Sequence, residues 1–111
     1  MRPIEVTLDY DVPVTTDWWP LDIYTPNQVT SISVNKLSGT IEYSVEYTNE
    51  DPFDPSIDPG DLLVEPHPVG AFTDATTSLT EFTDVLMRAV RINITDGAGS
   101  ARITVVQQST A

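Results

Sequence analysis

The stretch from Gly39 to Asp61, GTIEYSVEYTNEDPFDPSIDPGD, constrains the fold more than any other part of the chain. Its first half alternates, with Ile41, Tyr43, Val45 and Tyr47 on one side and Glu42, Ser44, Glu46 and Thr48 on the other. A period of two with branched and aromatic residues on one side is what a half-buried β-strand requires. Asn49-Glu50-Asp51-Pro52 ends the strand, and Pro52, Pro55 and Pro59 keep regular structure from resuming before Leu62. Proline has no amide to give to a helix or a ladder. One strong strand therefore feeds one long, acidic, proline-stiffened loop.

The same alternation recurs elsewhere. Ile4, Val6, Leu8 and Tyr10 share a face and predict a strand closed by Pro13. Trp18 to Tyr24 follows, and because adjacent strand residues face opposite ways, at most one of Trp18 and Trp19 belongs fully in the core. Val29 to Val34 predicts a third strand, with Lys36-Leu37-Ser38-Gly39 as a turn that makes a hairpin of residues 29–48. Pro66 and Pro68 confine the region of His67 to an edge or a loop, and Leu79 and Phe82 mark a thin strand. Val85 to Thr95 and Ala101 to Gln107 predict a second hairpin, across a connection holding Gly97 and Gly99. No stretch carries helix start and stop signals. The expected class is all-β: an antiparallel β-sandwich of about seven or eight strands, jelly-roll-like or immunoglobulin-like, with a long Pro/Asp-rich loop.

At 111 residues the chain is expected to be a single domain, 1–111. It has no cysteine, so thiol chemistry and thiolate metal sites are excluded. The start, MRPIEVTLDY, lacks the apolar run of a signal peptide, and no apolar run reaches the length of a membrane span. The formal net charge of −12 argues against nucleic acid and anionic lipid as partners, since both need Lys and Arg to neutralise phosphate. It suits either solubility through self-repulsion or a docking face for a basic surface.

Catalytic constellations are poor. His67 is the only histidine and is expected in an exposed loop rather than as a ligand or base. No nucleophile elbow or phosphate loop is present, and no enzyme, cofactor or metal is expected. Glu50, Asp51, Asp54, Asp58 and Asp61 could offer oxygen ligands to calcium, but without the spacing of an EF-hand. The partner-contact candidates are Trp18, Trp19 and Phe53 as apolar anchors, with Asp54 and Asp58 at the rim. Phe53 is a large apolar residue stranded in an acidic loop, and it either meets a partner or folds back as a lid on the core. At least one terminus is expected to be ordered by a neighbouring subunit.

Three pieces of the chain resemble small virion structural proteins of tailed bacteriophages: PLDIYTPNQVTSISV, GTIEYSVEYTNEDPFDP and MRAVRINITDGAGSARITVVQ. The resemblance runs from Pro20 to Gln107, and the segment LLVEPHPVG departs from it by lacking a tryptophan after the acidic loop. The matching positions are mainly structural. The resemblance implies a capsid decoration or cement protein, made in the host cytoplasm and resident in the virion. Such a protein binds the major capsid protein and other copies of itself, as in a trimer, and stabilises the shell by bridging neighbouring subunits. The alternative is a head–tail or fibre component, or a receptor- or glycan-binding module with Trp18, Trp19 or Tyr24 as stacking platforms.

Overall fold

The computed structural model describes residues 3–11, 13–24 and 28–109. The expectation that a neighbour orders a terminus falls on residues outside these. The described residues form nine strands: β1 (Ile4–Tyr10), β2 (Val14–Thr15), β3 (Trp19–Pro20), β4 (Gln28–Gly39), β5 (Glu42–Thr48), β6 (Glu65–Pro66), β7 (Leu79–Thr83), β8 (Ala89–Asp96) and β9 (Gly99–Ser109). Sheet one has the order β1-β9-β4-β7, and sheet two runs β2-β8-β5-β6 with β3 also on the outer edge of β8. All pairings are antiparallel.

The register reveals how the chain is wound. Gln28 pairs with Ser109 at one end of β4–β9, Gly39 pairs with Gly99 at the other, and Glu42 to Thr48 then pair with Asp96 to Ala89. Residues 28–48 and 89–109 are therefore one long two-stranded ribbon folded in half. Residues 4–20 line its β9–β8 flank, and residues 65–83 line its β4–β5 flank. A four-stranded ribbon doubled over into two facing sheets is a jelly roll. In an immunoglobulin sandwich several consecutive strands stay in one sheet; here only β2–β3 and β5–β6 do.

Two expectations are corrected by this winding. Residues 29–48 and 85–107 are not hairpins, because β4 pairs with β9 and β7 while β5 pairs with β8 and β6. The glycines make the corner where the ribbon changes sheets. Gly39 and Gly97 adopt φ of 75° and 103°. A Cβ at Gly39 would overlap the Ala98 carbonyl oxygen, and one at Gly97 would overlap that of Thr40. Both crossing segments thus touch backbone to backbone, joined by the Thr40 amide donating to Ala98 O at 2.9 Å. Around the corner, Lys36 to Gly39 is strand with a bulge at Leu37 rather than a turn. β8 begins at Ala89 rather than Val85, and the segment 18–24 yields only the two residues of β3.

The alternating rows close on each other as expected. Ile32 and Val34 of β4 and Ala101, Ile103 and Val105 of β9 face Tyr43 and Val45 of β5 and Val90, Ile92 and Ile94 of β8, all buried. Each Val or Ile side chain of this set removed from water contributes roughly 1.5–3 kcal/mol. Tyr10 and Tyr43 bury their rings and carry their hydroxyls to carbonyls, donating to Thr40 O at 2.9 Å and Thr77 O at 2.8 Å. Pairing and packing leave three connections, 21–24, 49–64 and 84–88, at the end of the sandwich opposite the glycine corner.

Candidate functional site

The acidic loop is built from three Asp-Pro-X units, and each solves the same local problem. Proline lacks an N–H, so the amide two residues after the aspartate is the first one free to bond back. Asp51 Oδ1 accepts from Phe53 N at 2.9 Å, Asp54 Oδ1 from Ser56 N at 2.9 Å, and Asp58 Oδ1 from Gly60 N at 3.0 Å. These are Asx turns, a way to order backbone without a ladder. Asp58 also caps a 3-10 turn, Pro59–Asp61. The Ser56 amide, and then the Ser56 hydroxyl, hold the Asp54 carboxyl below its usual range. The base of the loop is tied by buried Thr48, whose hydroxyl donates to Leu63 O at 2.9 Å, and by Glu50 accepting from Leu63 N at 3.1 Å.

Of the five carboxylates considered above for calcium, Asp51, Asp54 and Asp58 are thus engaged in separate turns, and Glu50 ties the base of the loop. Among the described residues no group of three or more His, Asp or Glu converges to hold a metal ion.

The other two connections are drawn against the loop through Arg88. Its amide donates to Thr48 O at 3.0 Å, its carbonyl accepts from Leu21 N at 2.9 Å, and its guanidinium lies 3.6 Å from Asp51. The neighbouring Asp22 is held by the Gln107 amide, which accepts from Asp22 N at 2.7 Å and donates to Asp22 O at 3.1 Å. Between them opens a cleft of about 180 Å³ with Leu21, Ile23, Tyr24, Pro52 and Phe53 in its wall.

This end of the molecule carries most of the exposed apolar surface. Tyr24 is 89% exposed, Phe53 59% and Leu86 62%, with Leu63 and Val85 also on these connections. Phe82, 69% exposed, adds to it from the outer face of sheet one, where it pairs with Ser31, which in turn pairs with the exposed Val106. Val14 and Leu37 are the large apolar residues exposed elsewhere among the described residues. The three connections also hold seven carboxylates against one cation, Arg88. Exposed apolar side chains and carboxylates therefore share this end of the sandwich.

The predicted contact residues divide. Phe53, Asp54 and Asp58 lie together on this end, and Phe53 lines the open cleft instead of lidding the core. The two tryptophans make other contacts. Trp19 packs half-buried against the core. Trp18 is half-buried on the outer face of sheet two with the Arg91 guanidinium 4.5 Å above its ring, and Arg91 donates to Glu46 Oε1 at 3.0 Å. Tyr24, expected above only as a stacking platform for a glycan or receptor, lines the same cleft as Phe53, and Leu86 was missed as a contact candidate because nothing in its spacing separates it from a core position.

His67 is a further correction. It is buried rather than exposed, with its Nδ1 accepting from Val69 N at 3.0 Å and its ring T-shaped to Phe72 at 4.8 Å. Burial pushes its pKa down to about 4. Its Nε2 has no hydrogen-bond partner among the described residues. Pro66 and Pro68 signalled an edge correctly, but β5 accepts that edge: the His67 amide donates to Val45 O at 3.0 Å and turns the imidazole inward.

Compared with known proteins, the chain matches no family model, no curated protein and no solved structure.

Proposed function

We propose that the protein is a non-enzymatic structural module of a virion, a decoration protein that seats its loop-bearing end on the capsid shell and bridges neighbouring subunits. The observation that carries this reading is the asymmetry of the surface: a rigid sandwich with exposed Tyr24, Phe53, Leu63, Phe82 and Leu86 gathered at one end, among acidic groups. Exposed apolar patches ringed by polar groups are typical of docking surfaces, and central aromatic anchors carry most binding energy while rim charges govern encounter. The resemblance of its three sequence pieces to small phage virion proteins supports the context, and the jelly roll is an architecture that capsid, lectin and cupin domains all use. The fibre or glycan-binding alternative calls for an open aromatic platform. Trp18 has one face covered and Trp19 packs inward, so that reading is left with Tyr24.

Co-sedimentation with shells of the virus that encodes the protein tests this. Phe53→Ala and Tyr24→Ala should each weaken retention, with a central truncation costing about 2 kcal/mol or more. Asp54→Asn and Asp58→Asn keep the Asx turns and should slow attachment at low salt only. The number of copies per particle should approach that of the shell subunits. A handful of copies would favour a tail, vertex or fibre position, and undiminished retention of both aromatic variants would remove the anchor.

A further inference from the structure

A strand at the edge of a sheet presents unpaired backbone groups to any chain that can pair with them, and proteins blunt such edges with prolines, bulges, short strands or inward charges. Three of the four edges of this sandwich are blunted. β7 turns Glu81 toward the inside, opposite buried Ile32. β6 is two residues long and ends in Pro66, and the opposite edge of that sheet is broken into β2 and β3, ending at Pro20.

Among the described residues β1 has no bulge, proline or inward charge, and its two carboxylates, Glu5 and Asp9, face outward. It is seven residues long, contains no proline, and pairs with β9 without a register shift; among the described residues β9 is its sole sheet partner. Its inward row of Ile4, Val6 and Leu8 is half-buried, whereas Val105, Ile103 and Ala101, directly opposite on β9, are at most 1% exposed. The apolar layer between the sheets is therefore only partly covered along Ile4 to Leu8, and it closes at buried Tyr10. Its outward row holds Glu5 and Asp9, both exposed, and the one cation near them among the described residues, Arg102, lies 3.7 Å from Glu5 in a solvent-screened pair.

We infer that β1 is a strand-addition site for an extended segment of another polypeptide in which apolar residues alternate with Lys or Arg. The backbone of that segment pairs with the free edge, its apolar side chains continue the row of Ile4, Val6 and Leu8, and its cations fall beside Glu5 and Asp9. A second copy of this chain is a poor occupant. Each copy carries a net charge of −12, and an antiparallel β1–β1 pair centred on Thr7 sets Glu5 against Asp9 twice. The inference is independent of the docking end and of the virion reading.

The test uses the full chain and two blocked synthetic peptides as long as β1, one alternating Val with Lys and the other Val with Glu. Fluorescence anisotropy should show binding of the Val/Lys peptide alone, and hydrogen exchange should show new protection confined to Ile4–Tyr10. Val6→Lys places an inward charge on the edge, as Glu81 does on β7, and should weaken binding by about tenfold or more. The double variant Glu5→Lys, Asp9→Lys changes exposed groups only and should reverse the preference toward the Val/Glu peptide. Equal binding of both peptides, binding of neither, protection outside β1, or a β1-mediated dimer in sedimentation would each overturn the inference.

Discussion

His67 sits at the outer edge of β5 with its ring inside, and this placement sets a pH window. The unfolded chain takes up a proton near pH 6.5, while burial holds the folded group back to about 4. Below pH 6.5 the unfolded state binds more protons, so stability is full above that value and falls as pH drops toward 4. The loss amounts to about 3 kcal/mol. Urea melts across this range should show the acid-side loss in the wild type and a flatter profile in His67→Gln; parallel profiles would mean that carboxylates alone set the acid limit. At this scale the sequence was a poor guide to the histidine. Flanking prolines identify an edge position, but whether an edge residue points in or out depends on the strand it pairs with.

Among the elements, the glycine corner carries the winding. Replacing Gly97 with Ala places a Cβ against the Thr40 carbonyl at a φ of 103°, so the cost is both steric and conformational. Gly97→Ala should lose about 1–3 kcal/mol in chemical denaturation. Gly70→Ala is the matched control, because a Cβ there meets nothing within 4 Å and the backbone is ordinary. It should change stability by less than about 0.5 kcal/mol. Equal effects would show that the corner does not depend on close backbone approach. The strands themselves were legible, β1, β5, β8 and β9 above all, because each has one wet and one dry face. Their partners were not. A glycine pair between two alternating runs serves a hairpin and a sheet-changing corner equally well, since both need positive φ.

For the molecule as a whole, charge is the largest unbalanced quantity. The chain sets 17 acidic against 5 basic residues, and its three described ion pairs, Arg88–Asp51, Arg91–Glu46 and Arg102–Glu5, are at least partly solvated. Salt weakens those pairs and also the far more numerous repulsions. Repulsion wins the comparison, so the melting temperature should rise from dilute buffer through physiological salt. A falling melting temperature would assign the three pairs more weight than their exposure allows. The docking end obeys the same balance: seven carboxylates on its connections disfavour self-association through that end and favour a basic counterpart.

The sequence by itself determined the class of fold, the faces of the main strands and the ordered irregularity of the loop. These are local properties: a period of two, proline's missing amide, and an aspartate within reach of the amide two residues on. Its Asp-Pro-X units were visible as residues, although the turns they make became evident only with their distances. The tertiary structure alone decided that β4 pairs with β9 rather than β5, that His67 is buried, that Trp18 is covered by Arg91, and that β1 is left as the open edge. Each of these joins residues far apart in the chain, and pattern along a chain says which face is dry without saying what dries it.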